Sequence, residues 1–281
     1  MTFQKKITII FFVFVIGLPF GSWWYNKRTH PVIVPLPPRK ENTITIIPGW
    51  NLRNVAEYLV SKNIASTTAQ VFAITGVPAR DYRTVASVFP GVGEEGKIFT
   101  DRPKYQSYEG YIAPETYRVF ADASLPEVLK KLFNQRAEQV TPEIYANVVA
   151  SGHSFHEILT MASIIEEESK TDSDRKIISD ILWRRVKNGW PLQVDSSVHY
   201  AVNKTGDVFT TTIDRKVESP WNTYKYAGLP LGPICNPSME SIEAALVPEK
   251  NSYWYFLSGS DGVMHYAKNL DEHNRNRVKY L

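Results

Sequence analysis

The sequence predicts an α+β fold in which a small N-terminal module precedes a larger mixed α/β domain, the whole carried behind a single transmembrane helix. Three observations predict it. An unbroken apolar run lies near the N-terminus, β-branched alternation gives way to helical spacing after Thr43, and a capped amphipathic helix with an acidic end opens the second half.

The apolar run is Ile7 to Tyr25, flanked by Lys5 and Lys6 before it and by Lys27 and Arg28 after it. Its length of about 19 residues, at about 1.5 Å per residue, matches the hydrocarbon thickness of a bilayer. Trp23, Trp24 and Tyr25 form an interfacial aromatic belt at its far end. A cleaved signal peptide shares the Lys-then-apolar pattern, but no A-x-A-like site follows the run. An uncleaved single-pass anchor is therefore expected, with the basic N-terminus inside and the body outside. Pro31, Pro35, Pro37 and Pro38 then make an extended, semi-rigid spacer.

Folded structure begins at Thr43. Residues 43–47 alternate like a strand, Pro48-Gly49 supplies a turn, and Asn51 caps a helix with Leu52, Val55, Ala56 and Leu59 on one face. A second short helix is expected around Thr67 to Thr75. The Gly-rich, charged stretch from Val88 to Tyr105 is expected to be loop or hairpin. A further helix follows Leu125-Pro126-Glu127, with Val128, Leu129, Leu132 and Phe133 as its apolar face.

Composition narrows the partners. Lys+Arg number 32 against 29 Asp+Glu, a formal net charge of +3 spread over 281 residues, and no basic stripe is interleaved with aromatics, so nucleic acid is not an expected partner. Cys235 is the single cysteine, which excludes an intramolecular disulfide and a Cys-rich zinc site. His265 and His273, with Glu272, match no zinc spacing, and no metal or other cofactor is expected.

The chemistry begins after Gly152. Ser154 and Glu157 form a capping-box pattern, and Phe155, Ile158, Leu159, Ala162 and Ile165 make a helical stripe that Glu166 continues. Glu167 and Glu168 are each turned by about 100° from their predecessor. A carboxyl held against an apolar face resists ionising, as a general acid working near neutral pH must. The pattern alone leaves open a Glu166 at the helix edge that simply reaches water. Downstream, residues 190–200, 218–224 and 228–237 crowd acids, amides, hydroxyls and aromatics among prolines and glycines, the makings of a rigid sugar-binding loop or of an ordinary structured one.

These segments together resemble the YceG-like endolytic murein transglycosylases. The motifs that carry the resemblance are Ala162 to Glu168, Leu192 to Tyr200, Ser219-Pro220-Trp221-Asn222-Thr223-Tyr224, Gly228-Leu229-Pro230, Gly232-Pro233-Ile234 and Asn236-Pro237. Ile47 to Trp50, Glu109 to Tyr117, Tyr253 to Phe256 and Glu272-His273-Asn274 extend it over nearly all the chain beyond the spacer. The departures are Asp195-Ser196-Ser197 for a usual Asp-Pro-Thr, Trp221 for a tyrosine, Leu231 for a proline and Ser238 for a glycine.

The resemblance implies an anchor over 1–28, a Pro-rich spacer over 29–41, a LysM-like module with its connecting segment over 42–118, and a catalytic domain over 119–281. It implies a lytic transglycosylase that cleaves the MurNAc–GlcNAc β-1,4 bond of peptidoglycan without water, leaving 1,6-anhydroMurNAc ends and limiting the length of new strands. Glu166 is the implied catalytic acid. Asp195, Asn222 and Tyr224 are implied substrate contacts, joined by Ser197, Tyr200, Ser219 and Thr223 of the same segments. Location in the cytoplasmic (inner) membrane, with the body facing the periplasm or cell exterior beside peptidoglycan synthases, completes the expectation. A non-catalytic peptidoglycan-binding protein, and a hydrolytic muramidase pairing Glu166 with Asp195 or Glu218, are the alternatives.

Overall fold

The computed structural model describes residues 38–85, 92–93, 96–204 and 210–281; the expected anchor, and most of the spacer, lie outside them. Among the described residues no helix is long and apolar enough to cross a membrane.

β1 (Glu41–Thr45) is the first element among the described residues, and burial of Ile44 and Ile46 beside an exposed Ile47 reflects the expected alternation. α1 (Leu52–Ser61) starts where expected because the Asn51 side chain accepts from the Arg53 and Asn54 amides. Its buried face is Leu52, Val55, Ala56 and Leu59. α2 (Thr68–Thr75), capped by Thr67, packs against it. A single turn, α3 (Lys97–Thr100), is the next helix among the described residues.

The connecting segment is a buried strap. Residues 106–113 are all buried, and their backbone groups find partners outside regular structure, as buried amides must. Tyr108 N donates to Thr75 O at 2.7 Å and Ile112 N to Asn236 Oδ1 at 3.0 Å. Gly110 sits at φ 85, where a Cβ would come within 2.8 Å of Pro233 Cβ, so only glycine fits between strap and loop. The strap ends in β2 (Thr116–Phe120), which pairs antiparallel with β1 from Glu41↔Phe120 to Thr45↔Thr116. The expected boundary at 118 therefore runs through β2. A single cluster of buried side chains continues across it, from Ile44 and Leu52 to Ile158 and Ile242.

α4 (Leu125–Gln139) and α5 (Pro142–Ser151) lead into α6 (Phe155–Glu168), whose Ser154–Glu157 capping box is formed in both directions. α6 is the central element. Besides the expected stripe it buries His156, Thr160, Met161, Ser163 and Ile164, because α5, α7 (Asp172–Lys187), α8 (Asp195–Val202) and α9 (Met239–Leu246) all pack on it. Each fully buried Ile or Leu here contributes about 1.5–3 kcal/mol before entropy is counted. A hairpin of β3 (Tyr255–Ser258) and β4 (Met264–Ala267), with α10 (Leu270–Tyr280) against it, finishes the chain.

The proline- and glycine-rich loop 228–237 is clamped rather than mobile. Ile234 N donates to Ser163 Oγ at 3.0 Å on α6, and Asn236 Nδ2 donates to Trp50 O at 2.8 Å in the turn before α1. Arg136, fully buried on α4, donates to Ile112 O at 3.0 Å and Pro237 O at 2.5 Å, tying strap and loop together; desolvation lowers its pKa to about 10.

Candidate active site

The three consecutive acids at the end of α6 meet three different surroundings. Glu166 points inward, as its stripe position predicts, with 9% of its side chain exposed. What it meets there is the start of α9. Oε2 accepts from Ser238 N at 3.0 Å, Ser238 Oγ at 2.6 Å and Ser241 Oγ at 2.6 Å, and Oε1 lies 4.0 Å from Arg175 Nη2. Ser238 is the N-cap of α9, so Glu166 is built into that helix terminus, where amide donors converge.

Glu167 is exposed on one side, while its carboxyl lies against the turn before α1, so that a Cβ on Gly49 would come within 3.1 Å of Oε1. Loss of solvent on that side pushes it up to about 7; a hydrogen bond with Cys235 opposes the shift, the negative charges of Glu168 and Glu166 add to it, and water on the open side tempers it.

Glu168 faces the polar loop. Ser196 Oγ donates to its Oε1 at 2.7 Å, and no other side chain among the described residues hydrogen-bonds its carboxyl. Burial raises its pKa above the usual carboxylate range; Ser196 pulls it down, the Asp195 charge raises it and Arg185 lowers it. Half-buried, lifted by desolvation and still reachable from solvent, Glu168 has the attributes of a general acid.

Beside it Asp195, the first residue of α8, gathers a network. Its Oδ1 accepts from Tyr224 OH at 2.5 Å and Thr210 Oγ1 at 2.6 Å, with Arg215 Nη2 at 3.5 Å. The Arg215 guanidinium also lies 4.6 Å from the Tyr224 ring centroid and donates from Nε to Thr210 Oγ1 at 2.7 Å. Asp195 and Tyr224, expected as substrate contacts of a Glu166 site, thus stand beside Glu168 instead, and both keep partial exposure.

Of the other expected contacts, Ser197, Tyr200, Asn222 and Thr223 are buried away from solvent and Ser219 is half-buried. Ser197 and Thr223 are buried and bond each other at 2.9 Å, while Val194 N donates to Thr223 Oγ1 at 3.1 Å. Asn222 is buried and donates to Arg215 O at 3.0 Å and Val217 O at 2.9 Å. Tyr200 is buried against the strap, its hydroxyl donating to Glu109 Oε2 at 2.9 Å. Ser219 turns its own loop, with Trp221 N donating to its Oγ at 3.3 Å. The four buried ones support the loop from within, because an Asn, Thr or Tyr in a rigid loop satisfies buried backbone as readily as it meets a sugar.

Trp221 is likewise core, 2% exposed. Glu218 is on the surface, paired with Lys225 and accepting from Tyr226 OH at 2.8 Å. His265 faces Asp261 at 3.0 Å and stacks on Tyr280, and His273 stacks on Tyr255.

Ser196, Thr210 and Arg215 were not singled out by sequence. Position 196 offered a signal, since it is the second residue of a helix that begins at the acidic Asp195. Arg185 was also missed. It is buried, donates from Nη1 to Leu192 O at 2.6 Å and from Nη2 to Trp254 O at 2.6 Å, and holds the segment leading to Asp195 against the tail hairpin.

An α+β scaffold whose central buried helix delivers a lifted carboxyl to a rigid polar loop has an arrangement suited to acid–base chemistry. The chain belongs to the YceG-like family, whose model matches residues 29–279. It is 42% identical over 175 residues to the endolytic murein transglycosylase of Bacillus subtilis, covering 62% of this chain and 48% of that protein. The protein of the same name from Streptococcus pneumoniae serotype 2 is 27% identical over 247 residues, 85% of this chain and 44% of the relative. The crystal structure of a YceG-like protein from Listeria monocytogenes superposes with a TM-score of 0.69 at 32% identity, covering 83% of this chain and 74% of that one. The chain spans about half the length of the curated relatives it matches.

Proposed function

We propose that the protein is a peptidoglycan lytic transglycosylase that cuts within glycan strands, with Glu168 as its acid–base residue. The observation that carries the assignment is the difference among the three acids. Glu166 has Oε2 saturated by three donors of α9, Glu167 lies against Gly49 on the side of the strand–helix turn, and Glu168 alone faces the Asp195–Tyr224 network with its pKa raised by burial. Glu166, the acid selected by the helix stripe and by family resemblance, acts in this reading as the anchor of α9. Relatives named endolytic murein transglycosylase supply the substrate class.

The protonated Glu168 gives its proton to the glycosidic oxygen as the MurNAc–GlcNAc bond breaks. The resulting carboxylate takes the proton of the muramyl C6 hydroxyl, whose oxygen closes on the anomeric carbon as a 1,6-anhydro ring. No water is consumed and Glu168 ends protonated, so no second carboxylate nucleophile is needed. Ser196 orients the carboxyl, and Asp195, Tyr224 and Arg215 hold the sugar ring or its acetamido group.

The pairing of β1 with β2 around α1, α2 and the single-turn α3 supports a LysM-like module joined to the catalytic part. The apolar run over 7–25 supports a single-pass anchor in the cytoplasmic membrane, with the body facing the periplasm or cell exterior, near strand-synthesising enzymes whose products it shortens.

The test is mass spectrometry of glycan strands digested by the full chain in detergent and by its Glu168→Gln variant. Internal cuts ending in 1,6-anhydroMurNAc, lost in the variant, are expected. Reducing ends would replace this reading by a muramidase in which Asp195 assists water, and intact strands bound but never cut would replace it by a binding protein.

A further inference from the structure

The segment that delivers Asp195 to the site begins at an aromatic residue left outside the core. Trp190 is 43% exposed, a costly position for an indole with no further role. Its ring centroid lies 4.7 Å from that of Trp254 at an interplanar angle of 38°, and the Arg184 guanidinium lies 4.9 Å from the Trp254 ring. Trp190 is held in place from the backbone, its N–H donating to Arg185 O at 2.9 Å after the left-handed Gly189. Trp254 is fixed through its carbonyl, which accepts from Arg185 Nε and Nη2, and through its N–H to Ala267 O at 2.9 Å. The platform is therefore rigid, and an aromatic face presented rigidly to water suits the C–H face of a pyranose.

Continuity with the acid gives the platform its occupant. Between Trp190 and Asp195 the chain buries Leu192 and Val194 and leaves Gln193 exposed, while Trp190 and Asp195 at its two ends both keep access to water. Five residues of even fully extended chain reach at most about 18 Å, so the platform stands within that distance of Asp195, inside the reach of one oligosaccharide. Gln193 adopts φ 55, a conformation costly for a side chain of its kind and held by its N–H donating to Thr223 O at 3.1 Å. Its exposed amide accepts no hydrogen bond from the described residues and supplies a donor and an acceptor beside the aromatic plate. The guanidinium of Arg185, bonded to both Leu192 O and Trp254 O, locks platform and segment together and is the basic group whose charge Glu168 feels.

We propose that Trp190, packed at a tilt against Trp254 and three residues before the exposed Gln193, is a sugar subsite that binds an N-acetylhexosamine unit of the glycan strand a few rings away from the bond cut at Glu168. The inference rests on the glycan-cleaving function proposed above and names a specificity determinant for it. An enzyme with such a remote subsite acts within long strands and discriminates against short ones.

The test uses the full chain in detergent and its Trp190→Ala and Trp190→Phe variants, neither of which removes a buried side chain. Cleavage of long strands and of tetrasaccharides is followed by release of anhydro ends, and retention on insoluble peptidoglycan is measured in parallel. The expected result for Trp190→Ala is a KM for long strands raised about tenfold with kcat unchanged, no change for tetrasaccharides, and recovery in Trp190→Phe. Wild-type cleavage with an unchanged KM in Trp190→Ala overturns the subsite and leaves the enzyme assignment standing. If the wild type cleaves nothing, the enzyme assignment fails instead, and the retention assay decides the subsite: weaker retention of Trp190→Ala supports it, and equal retention or none overturns it.

Discussion

Glu168→Gln and Glu166→Gln separate chemistry from architecture within two residues of one helix. In Glu168→Gln the amide oxygen still accepts from Ser196 Oγ, the one side-chain donor to that carboxyl among the described residues. Nothing else in the core changes, so the melting temperature should move by no more than about 2 °C. The proton donor is gone, however, and general acid catalysis contributes about a hundredfold to ten-thousandfold, so kcat should fall by that factor. Glu166→Gln has the opposite signature. Oε2 accepts three donors, two of them at 2.6 Å, and the amide replaces a charged acceptor by a neutral one. Charge-assisted hydrogen bonds are worth about 1.5–3 kcal/mol each, and losing the charged component of this shell should destabilise the fold by about 2 kcal/mol. For a domain of this size that is a drop of about 4–8 °C, with activity per folded molecule largely kept. Differential scanning fluorimetry and release of anhydro ends, on the same preparations, make the comparison. A Glu168→Gln protein with more than about a tenth of wild-type activity, or a normally stable but inactive Glu166→Gln protein, refutes the assignment.

Three further outcomes follow from the structure. The Ser196 hydrogen bond holds the pKa of Glu168 down against burial, so Ser196→Ala should move the alkaline limb of the pH–activity profile upward; an unchanged or downward-moved limb contradicts the Glu168 role. Glu109, buried beneath Tyr200 and the start of α1, is raised by desolvation to about 8 from an unfolded value of 4.5. The folded state then holds its proton more tightly, so this contribution to stability is fully present below about pH 4.5 and is lost as pH rises toward 8. Denaturant titrations across that window should show Glu109→Gln flattening the decline, and equal slopes in the two proteins would exclude Glu109 as its source. Gly110→Ala must place a Cβ 2.8 Å from Pro233 Cβ at φ 85, which should destabilise by about 3 kcal/mol and lower the melting temperature by about 6–12 °C.

Local pattern determined the elements that local chemistry controls. The Asn51 and Ser154 caps start their helices where the sequence places them, because a cap needs only side chain and amides within three residues. The stripe through Ile158, Ala162 and Ile165 also sets the direction of Glu166, since helical periodicity fixes which way a side chain faces. Periodicity says nothing of what it faces. Ser238 and Ser241, which occupy Glu166, lie 72 and 75 positions away, and Ser196, which orients Glu168, lies 28 away. Likewise β2 escaped notice because its partner strand is paired across about 70 residues of intervening chain. The loop residues Ser197, Asn222 and Thr223 have the chemistry of sugar contacts, and only the packing of α8 against that loop shows them turned inward to satisfy backbone groups. The sequence by itself thus determined an acid-ended central helix, a polar loop and their order along the chain. Which of the lifted carboxyls also faces the Asp195–Tyr224 network was decided by tertiary structure, because desolvation and hydrogen-bond satisfaction depend on neighbours that only folding brings together.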